Sequence, residues 1–253
     1  MITVPKGSDA QHKTWLLRTL DALYQSPLIA KRLYFKGGTC AAMQDFISRF
    51  SVDLDFDYAG TREEMQEVKN EVERIVVKLG LTISNASKHV PQYFLKYPAE
   101  GQSSRNTLKI DAAFPPSPSN IYESVLLPEI DRVITCQTRE TMFANKLVAL
   151  INRQERGGKV AGRDVFDIHA FFLRGFTYVP DIIIEQRPTT SLIDFFISLE
   201  QFVEKQVTQG VIDNDLNTLL PYEEFNRIRL HLKREVRNFL RDEIKRLEHT
   251  SKQ

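Results

Sequence analysis

At 253 residues the chain can bury one large core or two modest ones, and 42% hydrophobic with 26% charged residues excludes a disordered or fibrous protein. With 34 Lys and Arg against 33 Asp and Glu the net charge is +1, so no global field draws in a nucleic acid and any such contact must come from a local patch. Cys40 and Cys136 have no CxxC or zinc spacing, MITVPKGSDAQHK has no apolar leader core, and no apolar run of about 18 residues occurs, so a cytoplasmic protein with free buried thiols and no membrane contact is expected.

Ser8 or Asp9 suits the N-cap of a first helix whose Leu16, Leu20, Leu23 and Tyr24 recur at helical spacing, until Ser26-Pro27 stops it. RLYF, residues 32–35, is a short strand candidate. Gly37-Gly38 then permits a sharp turn into a helix expected from about Thr39 to Arg49. VDLDFDY, residues 52–58, alternates without a break, with Val52, Leu54, Phe56 and Tyr58 on one side and Asp53, Asp55 and Asp57 on the other, a period of two that predicts a strand.

Thr61 caps the next predicted helix, with Glu63 and Glu64 in its first turn, Gly80 at its end and a face of Met65, Val68, Val72, Ile75, Val76 and Leu79. Strand patterns follow at LTISNAS, QYFLKY and TLKIDAAF, with residues 101–106 as a polar turn between the last two. The last strand sets Leu108, Ile110 and Ala112 against Lys109, Asp111 and Ala113. PPSPSN, residues 115–120, is a proline-rich loop, and VITCQ, residues 133–137, a further strand. From Thr138 the pattern is helical: MFANKLVALINR, the loop QERGGKVAG, RDVFDIHAFFLRG, and stretches near 181–186, 191–208 and 222–248. The expected architecture is α/β, in the α+β sense, with a mixed sheet and flanking helices over residues 1–137 and a mainly helical domain over residues 138–253.

Three groups of residues carry chemistry. Asp53 and Asp55 share a strand face with Cα atoms about 6.6 Å apart, near enough to hold one divalent ion or a pair. A Gly-Gly turn entering a helix exposes backbone N–H groups suited to a phosphate, and Thr39 adds a hydroxyl; alone, Gly37-Gly38 is equally a tight turn. Joined to the aspartate strand, it is equipment for phosphoryl or nucleotidyl transfer. Asp111 is a candidate third carboxylate, against the alternative of a salt-bridged strand residue. Lys146 and Arg153 lie two helical turns apart on one face, while Arg163 and Asp164 open the next predicted helix. Spacing alone favours Asp164 serving that helix's N-terminus and a surface ion pair between Arg163 and Asp167. GGKVAGRD lacks the P-loop spacing, and the five histidines show no metal-binding pattern, His169 among Phe166, Phe171 and Phe172 being a core residue.

The combination Lys36-Gly37-Gly38-Thr39, then Arg49, Ser51, Asp53 and Asp55, resembles the first motif of the AbiEii-type nucleotidyltransferases, toxins of abortive-infection toxin–antitoxin pairs, whose pattern is KGGT, a helix and RxSxDhD. Lys146, Ala149 and Arg153, with Arg163, Asp164 and Asp167 beyond the added loop QERGGKVAG, are similar to the family's later KxxAxxxR and RDxxD. The resemblance spans about residues 30–175 and implies a nucleotidyltransferase fold in which the helical half completes the active-site cleft. It implies Mg²⁺, or Mn²⁺, on Asp53 and Asp55 with Asp111 as third carboxylate, and a nucleoside triphosphate at Gly37, Gly38, Thr39, Ser51 and Lys146. Lys146 and Asp164 would be required for activity, which reverses the spacing argument for Asp164. The implied acceptor is RNA, chiefly the 3′ end of tRNA, met by Lys and Arg of the helical half, and a cognate antitoxin is an implied partner. Transfer to a protein hydroxyl or a small molecule, and a non-enzymatic nucleotide-binding module, are the alternatives. Asp57, one step past the motif, is expected to be a strand-end residue.

Overall fold

A computed structural model describes residues 2–98 and 106–250; the polar turn expected at 101–106 lies, except for Asn106, outside the described residues. The chain divides into two compact units, one of residues 2–116 and 121–138, the other of 117–120 and 139–250.

The first unit is built on a seven-stranded mixed sheet. Its strands are β1 (Leu33–Lys36), β2 (Asp53–Tyr58), β3 (Thr82–Ala86), β4 (Gln92–Lys96), β5 (Thr107–Ala113), β6 (Tyr122–Leu127) and β7 (Arg132–Gln137), in the order β3-β4-β5-β2-β1-β7-β6. β2 lies mid-sheet, antiparallel to β1 and parallel to β5. The expected alternation holds over Asp53–Phe56, where half-buried and buried residues alternate, and breaks at Asp57, which is buried too. Leu54, Phe56 and Tyr58 are fully buried, as are Phe35 across β1, Leu108 and Ile110 across β5, and Tyr93 and Leu95 across β4. Burying side chains of this size contributes about 1.5–3 kcal/mol each.

Helix α1 (Ala10–Tyr24) covers this apolar face, with Tyr24 tilted on Phe56 at 6.4 Å between ring centroids. The Tyr24 hydroxyl donates to the Leu33 carbonyl at 2.7 Å. His12 is completely buried, bonding the Tyr97 hydroxyl through Nδ1 and the Val52 carbonyl through Nε2. Trp15 stacks on Tyr97 at 5.8 Å. Ser26-Pro27 ends α1 as expected, but Pro27 also starts a short helix, α2 (Pro27–Arg32), because proline's missing N–H and fixed φ suit a first helical position.

Helix α3 (Gly37–Met43) begins two residues earlier and ends six residues sooner than the sequence pattern suggests; Asp45, at φ 58°, turns the chain out of it. Helix α4 (Met65–Lys78) follows a turn in which the Thr61 amide donates to Glu64 and the Glu64 amide to the Thr61 hydroxyl, a reciprocal cap. Strand β6 is not evident from the sequence: only Leu127 of its residues is buried, so Tyr122–Leu127 lacks the apolar alternation that marks β2.

The second unit is helical: α5 (Arg139–Glu155), α6 (Gly162–Leu173), α7 (Pro180–Gln186), α8 (Leu192–Gln206), α9 (Gln209–Leu216), α10 (Tyr222–Ile228) and α11 (Leu232–Thr250). Phe143 of α5 stacks on Phe171 of α6 at 5.0 Å and meets Phe172 edge-on at 4.8 Å, forming the aromatic centre of this unit. Gly162 is held where α6 meets α9, since a Cβ there would stand 2.6 Å from the Val211 carbonyl oxygen. The single helix expected over 222–248 is two, α10 and α11, broken around Arg229–His231. Residues 209–216, between the helical stretches expected at 191–208 and 222–248, form α9, capped by the Thr208 hydroxyl.

Candidate active site

In the first unit, the sheet face opposite α1 is polar, and register assembles it. Lys36 of β1 is the Cα partner of Asp55 on β2, Asp55 of Asp111 on β5, and Asp111 of Gln92 on β4. One row, Lys36-Asp55-Asp111-Gln92, therefore crosses four strands. Asp53 stands two residues before Asp55 on the same face, opposite Lys109. Asp53, Asp55 and Asp111 are half-buried. Asp111 accepts a hydrogen bond from Gln92 Nε2 at 2.9 Å and is ion-paired with Lys109.

The Gly-Gly turn is moulded to this row. Gly37 has φ 80°, and a Cβ there would come within 2.4 Å of Asp55 Oδ2, so both backbone and space demand glycine. A Cβ on Gly38 would stand 2.6 Å from Arg49 Nη2 and 2.9 Å from Ser51 Oγ. Arg49, buried, donates through Nη1 to the Phe50 carbonyl at 3.0 Å. Thr39 is completely buried, its Oγ1 lying 2.9 Å from Ser51 Oγ and bonding the Asp53 carbonyl. The hydroxyl expected to face a phosphate is thus turned inward, and with Ser51 it ties the glycine turn to the start of the aspartate strand. The two cysteines are free and buried in the core of this unit. Burial, and next Cys136, push the Cys40 thiol well above its ordinary pKa, so it is no nucleophile.

Asp57 differs from its expected role. It is 1% exposed and accepts from Lys36 Nζ at 2.6 Å through Oδ1, and from Gln137 Nε2 at 2.6 Å and the Tyr122 hydroxyl at 2.8 Å through Oδ2. A residue expected at a strand end is a buried junction of β2 with β1, β7 and β6, which sequence reasoning missed because each partner comes from a different segment.

The second unit holds the other charged group. Lys146 of α5 contacts Asp164 and Asp167 of α6, each at 2.8 Å, and Arg153, two turns along α5, reaches Asp164 at 3.0 Å. Asp164 and Asp167 are fully buried at their side chains, so the surface location that spacing suggested for Asp167 does not hold. Burial pushes the Asp164 carboxyl up, but Lys146 and Arg153 outweigh it and hold it well below the usual carboxylate range. The basic residues of the last helices are largely committed elsewhere, with Arg237 and Arg241 on Glu200 and Arg246 on Glu243. His169 is a buried residue, bonding Glu235 at 2.7 Å through Nε2.

Chemically, the first unit offers hard carboxylate oxygens beside a side-chain-free turn, a donor set that suits a divalent cation of the Mg²⁺ type. Among the described residues no three acidic, histidine or cysteine side chains are grouped so that they could hold a metal ion together, the expected set of Asp53, Asp55 and Asp111 included. No helix of the described residues is long and apolar enough to cross a membrane.

Two Helicobacter pylori crystal structures share the fold: JHP933, 19% identical with a TM-score of 0.58 over 98% of this chain and 97% of that one, and a protein proposed to be a nucleotidyltransferase, 18% identical with a TM-score of 0.58 over 96% of this chain and 98% of that one. No curated protein matches the sequence. The family model for the AbiEii nucleotidyl transferase toxin of type IV toxin–antitoxin systems matches residues 18–251. The chain belongs to the AbiEii nucleotidyltransferase toxin family.

Proposed function

We propose that this nucleotidyltransferase moves a nucleoside monophosphate from a nucleoside triphosphate to an RNA hydroxyl, at the 3′ end of tRNA, releasing pyrophosphate. The observation that carries the reading is the in-register row of Lys36, Asp55 and Asp111 with Asp53 beside it, against a glycine turn shaped to Asp55. Asp53, Asp55 and Asp111 would hold Mg²⁺ or Mn²⁺, which when bound neutralises triphosphate charge and polarises the reacting phosphoryl group. The backbone N–H groups at Gly37 and Gly38 approach the phosphates without a side chain between, and Thr39 with Ser51 keeps that turn on the strand. Lys146 supplies positive charge for the departing pyrophosphate. Asp164 and Asp167 fix its ammonium, and Asp164, paired and buried, is a positioning residue for Lys146. The acceptor hydroxyl displaces pyrophosphate at the α-phosphorus, forming one P–O bond as the bond to the bridging oxygen breaks. A cognate antitoxin would restrain the activity in the cell.

The test is incubation of the protein with each α-labelled nucleotide and total tRNA, with Asp55→Ala as control. Mg²⁺-dependent label on RNA that is at least a hundredfold weaker with Asp55→Ala is expected, on the order of the loss of one transition-state electrostatic contact. Equal label with both proteins, or label on protein or small molecules and none on RNA, refutes the RNA reading.

A further inference from the structure

Where α4 begins and β5 ends, the first unit holds a cavity of about 240 Å³ with a basic lining. Arg62 from the turn before α4, Lys69 of α4, and Lys88 and His89 of the β3–β4 connection line it, with Phe114 just past β5, and among the described residues no carboxylate does. Lys69 is the unusual member. It is 7% exposed, its ammonium donates to the Ser87 carbonyl at 2.8 Å, and among the described residues it forms no ion pair. One carbonyl occupies one of three N–H donors, and a cation buried this far is costly without an anion beside it. Arg62 and Lys88 are exposed and likewise form no ion pair among the described residues, whereas Arg32, Arg74 and Arg132 of the same unit are each held by a carboxylate. The Arg62 guanidinium lies over the Phe114 ring at 5.6 Å, and that ring meets Tyr58 edge-on at 5.5 Å. An aromatic face therefore orients the guanidinium and leaves its N–H donors for a ligand.

Cations with aromatic support and no acid among them suit a phosphate group. Position selects which phosphate. The Tyr93 hydroxyl donates to the Lys69 carbonyl at 3.3 Å, and Tyr93 belongs to the buried apolar face, so α4 lies on the side of the sheet away from the aspartate row. A nucleoside triphosphate seated on that row has no phosphate to place here, whereas a polynucleotide carries charge along its whole length. A net charge of +1 gives no general attraction, and Arg237, Arg241 and Arg246 are already paired, so an RNA needs a local group of uncommitted cations. This cavity supplies one.

We propose that the cavity lined by Arg62, Lys69, Lys88 and His89 anchors the phosphate backbone of the RNA acceptor, at a point of the RNA distant from its reacting 3′ end. The proposal rests on the RNA-transfer reading and adds to it the place where the sheet unit grips the acceptor. The contact is to phosphate, so it holds the RNA without reading its sequence.

The experiment is equilibrium binding of fluorescently labelled total tRNA to the full chain, without nucleotide, read by anisotropy between about 50 and 200 mM salt. The proteins are wild type, the double variant Arg62→Gln/Lys88→Gln, Lys69→Met, and a control, Lys31→Gln/Lys78→Gln, that removes the same charge from exposed positions at the ends of α2 and α4. The cavity double variant is expected to raise Kd at least tenfold and to lower the slope of log K against log salt by about 1.4–1.8, the share of two phosphate contacts. Lys69→Met should raise Kd about tenfold, and the control less than about twofold. An unmoved Kd in the cavity double variant, or an equal loss in the control, overturns the proposal. Should Lys69→Met fail to fold, the exposed pair decides alone. A melting temperature raised by inorganic phosphate in the wild type and not in Lys69→Met, with RNA binding unmoved in the variants, makes the cavity a site for a free anion and overturns the RNA assignment. Wild type that neither binds nor labels RNA removes the parent reading and this one together. Labelling of RNA by the wild type with binding unmoved in the variants removes only this one, and RNA held at the cavity yet never labelled removes only the parent.

Discussion

Replacing Asp164 by Asn should destabilise the helical unit in a manner that depends on pH. The carboxylate is 1% exposed at its side chain and is contacted by Lys146 at 2.8 Å and Arg153 at 3.0 Å. Breaking a fully buried ion pair costs about 3–5 kcal/mol. Here Lys146 keeps Asp167 as a second partner and Arg153 is 40% exposed at its side chain, so solvent absorbs part of the loss. A cost of about 2–3 kcal/mol at pH 7 follows. Because the folded-state pKa is depressed, the wild-type advantage is fully present above the unfolded carboxyl value of 3.8 and is lost as pH falls toward the folded one. Between those two values the gap between wild type and Asp164→Asn should close by about 1.4 kcal/mol per pH unit. Urea unfolding followed by circular dichroism at 222 nm, to which the helical unit contributes heavily, measures the gap between pH 7 and pH 2.5. A difference under about 0.5 kcal/mol at pH 7, the range of an ordinary surface substitution, would refute the reasoning, as would one that does not shrink in acid.

Gly37→Ala places a Cβ 2.4 Å from Asp55 Oδ2 at a backbone φ of 80°, so Asp55 must move. Transfer should fall at least tenfold with the fold retained, checked by circular dichroism beside the labelled-nucleotide assay, on the order of 1.4 kcal/mol in the barrier. Phe56→Ala removes a fully buried ring that contacts Phe35 and Tyr24, and a loss of about 3–5 kcal/mol in urea unfolding is expected.

What the sequence disclosed was local. The strict alternation of residues 52–58 identified β2, its buried face and its acidic face, because a period of two has one physical cause. The glycines were legible as a turn, but their fit against Asp55 and Arg49 was not, since it is set by contacts across the sheet. The register that makes Asp55 the partner of Asp111 joins segments more than fifty residues apart, and composition says nothing of it. Asp57 looked dispensable for the same reason: Lys36, Tyr122 and Gln137 meet it only once four strands are ordered. Lys146 with Asp164 went the other way. Spacing placed Lys146 and Arg153 on one helix face, yet favoured a separate capping role for Asp164, and only the resemblance to the AbiEii pattern tied the aspartate to the lysine. Helices α2 and α9 and strand β6 escaped notice through ambiguous punctuation or exposure, in segments where packing outweighs propensity.

Trp15 gives the molecule a built-in reporter. It is the sole tryptophan of the sequence, it belongs to the sheet unit, and it stacks on Tyr97 where β4 ends. Its emission therefore follows loss of structure around the seven-stranded sheet, while ellipticity at 222 nm follows the helical unit most strongly. Recording both in one denaturation measures how far the two units unfold as a single cooperative body, and lets a lesion at Lys146 or Asp164 be told apart from one at Asp55 without any label.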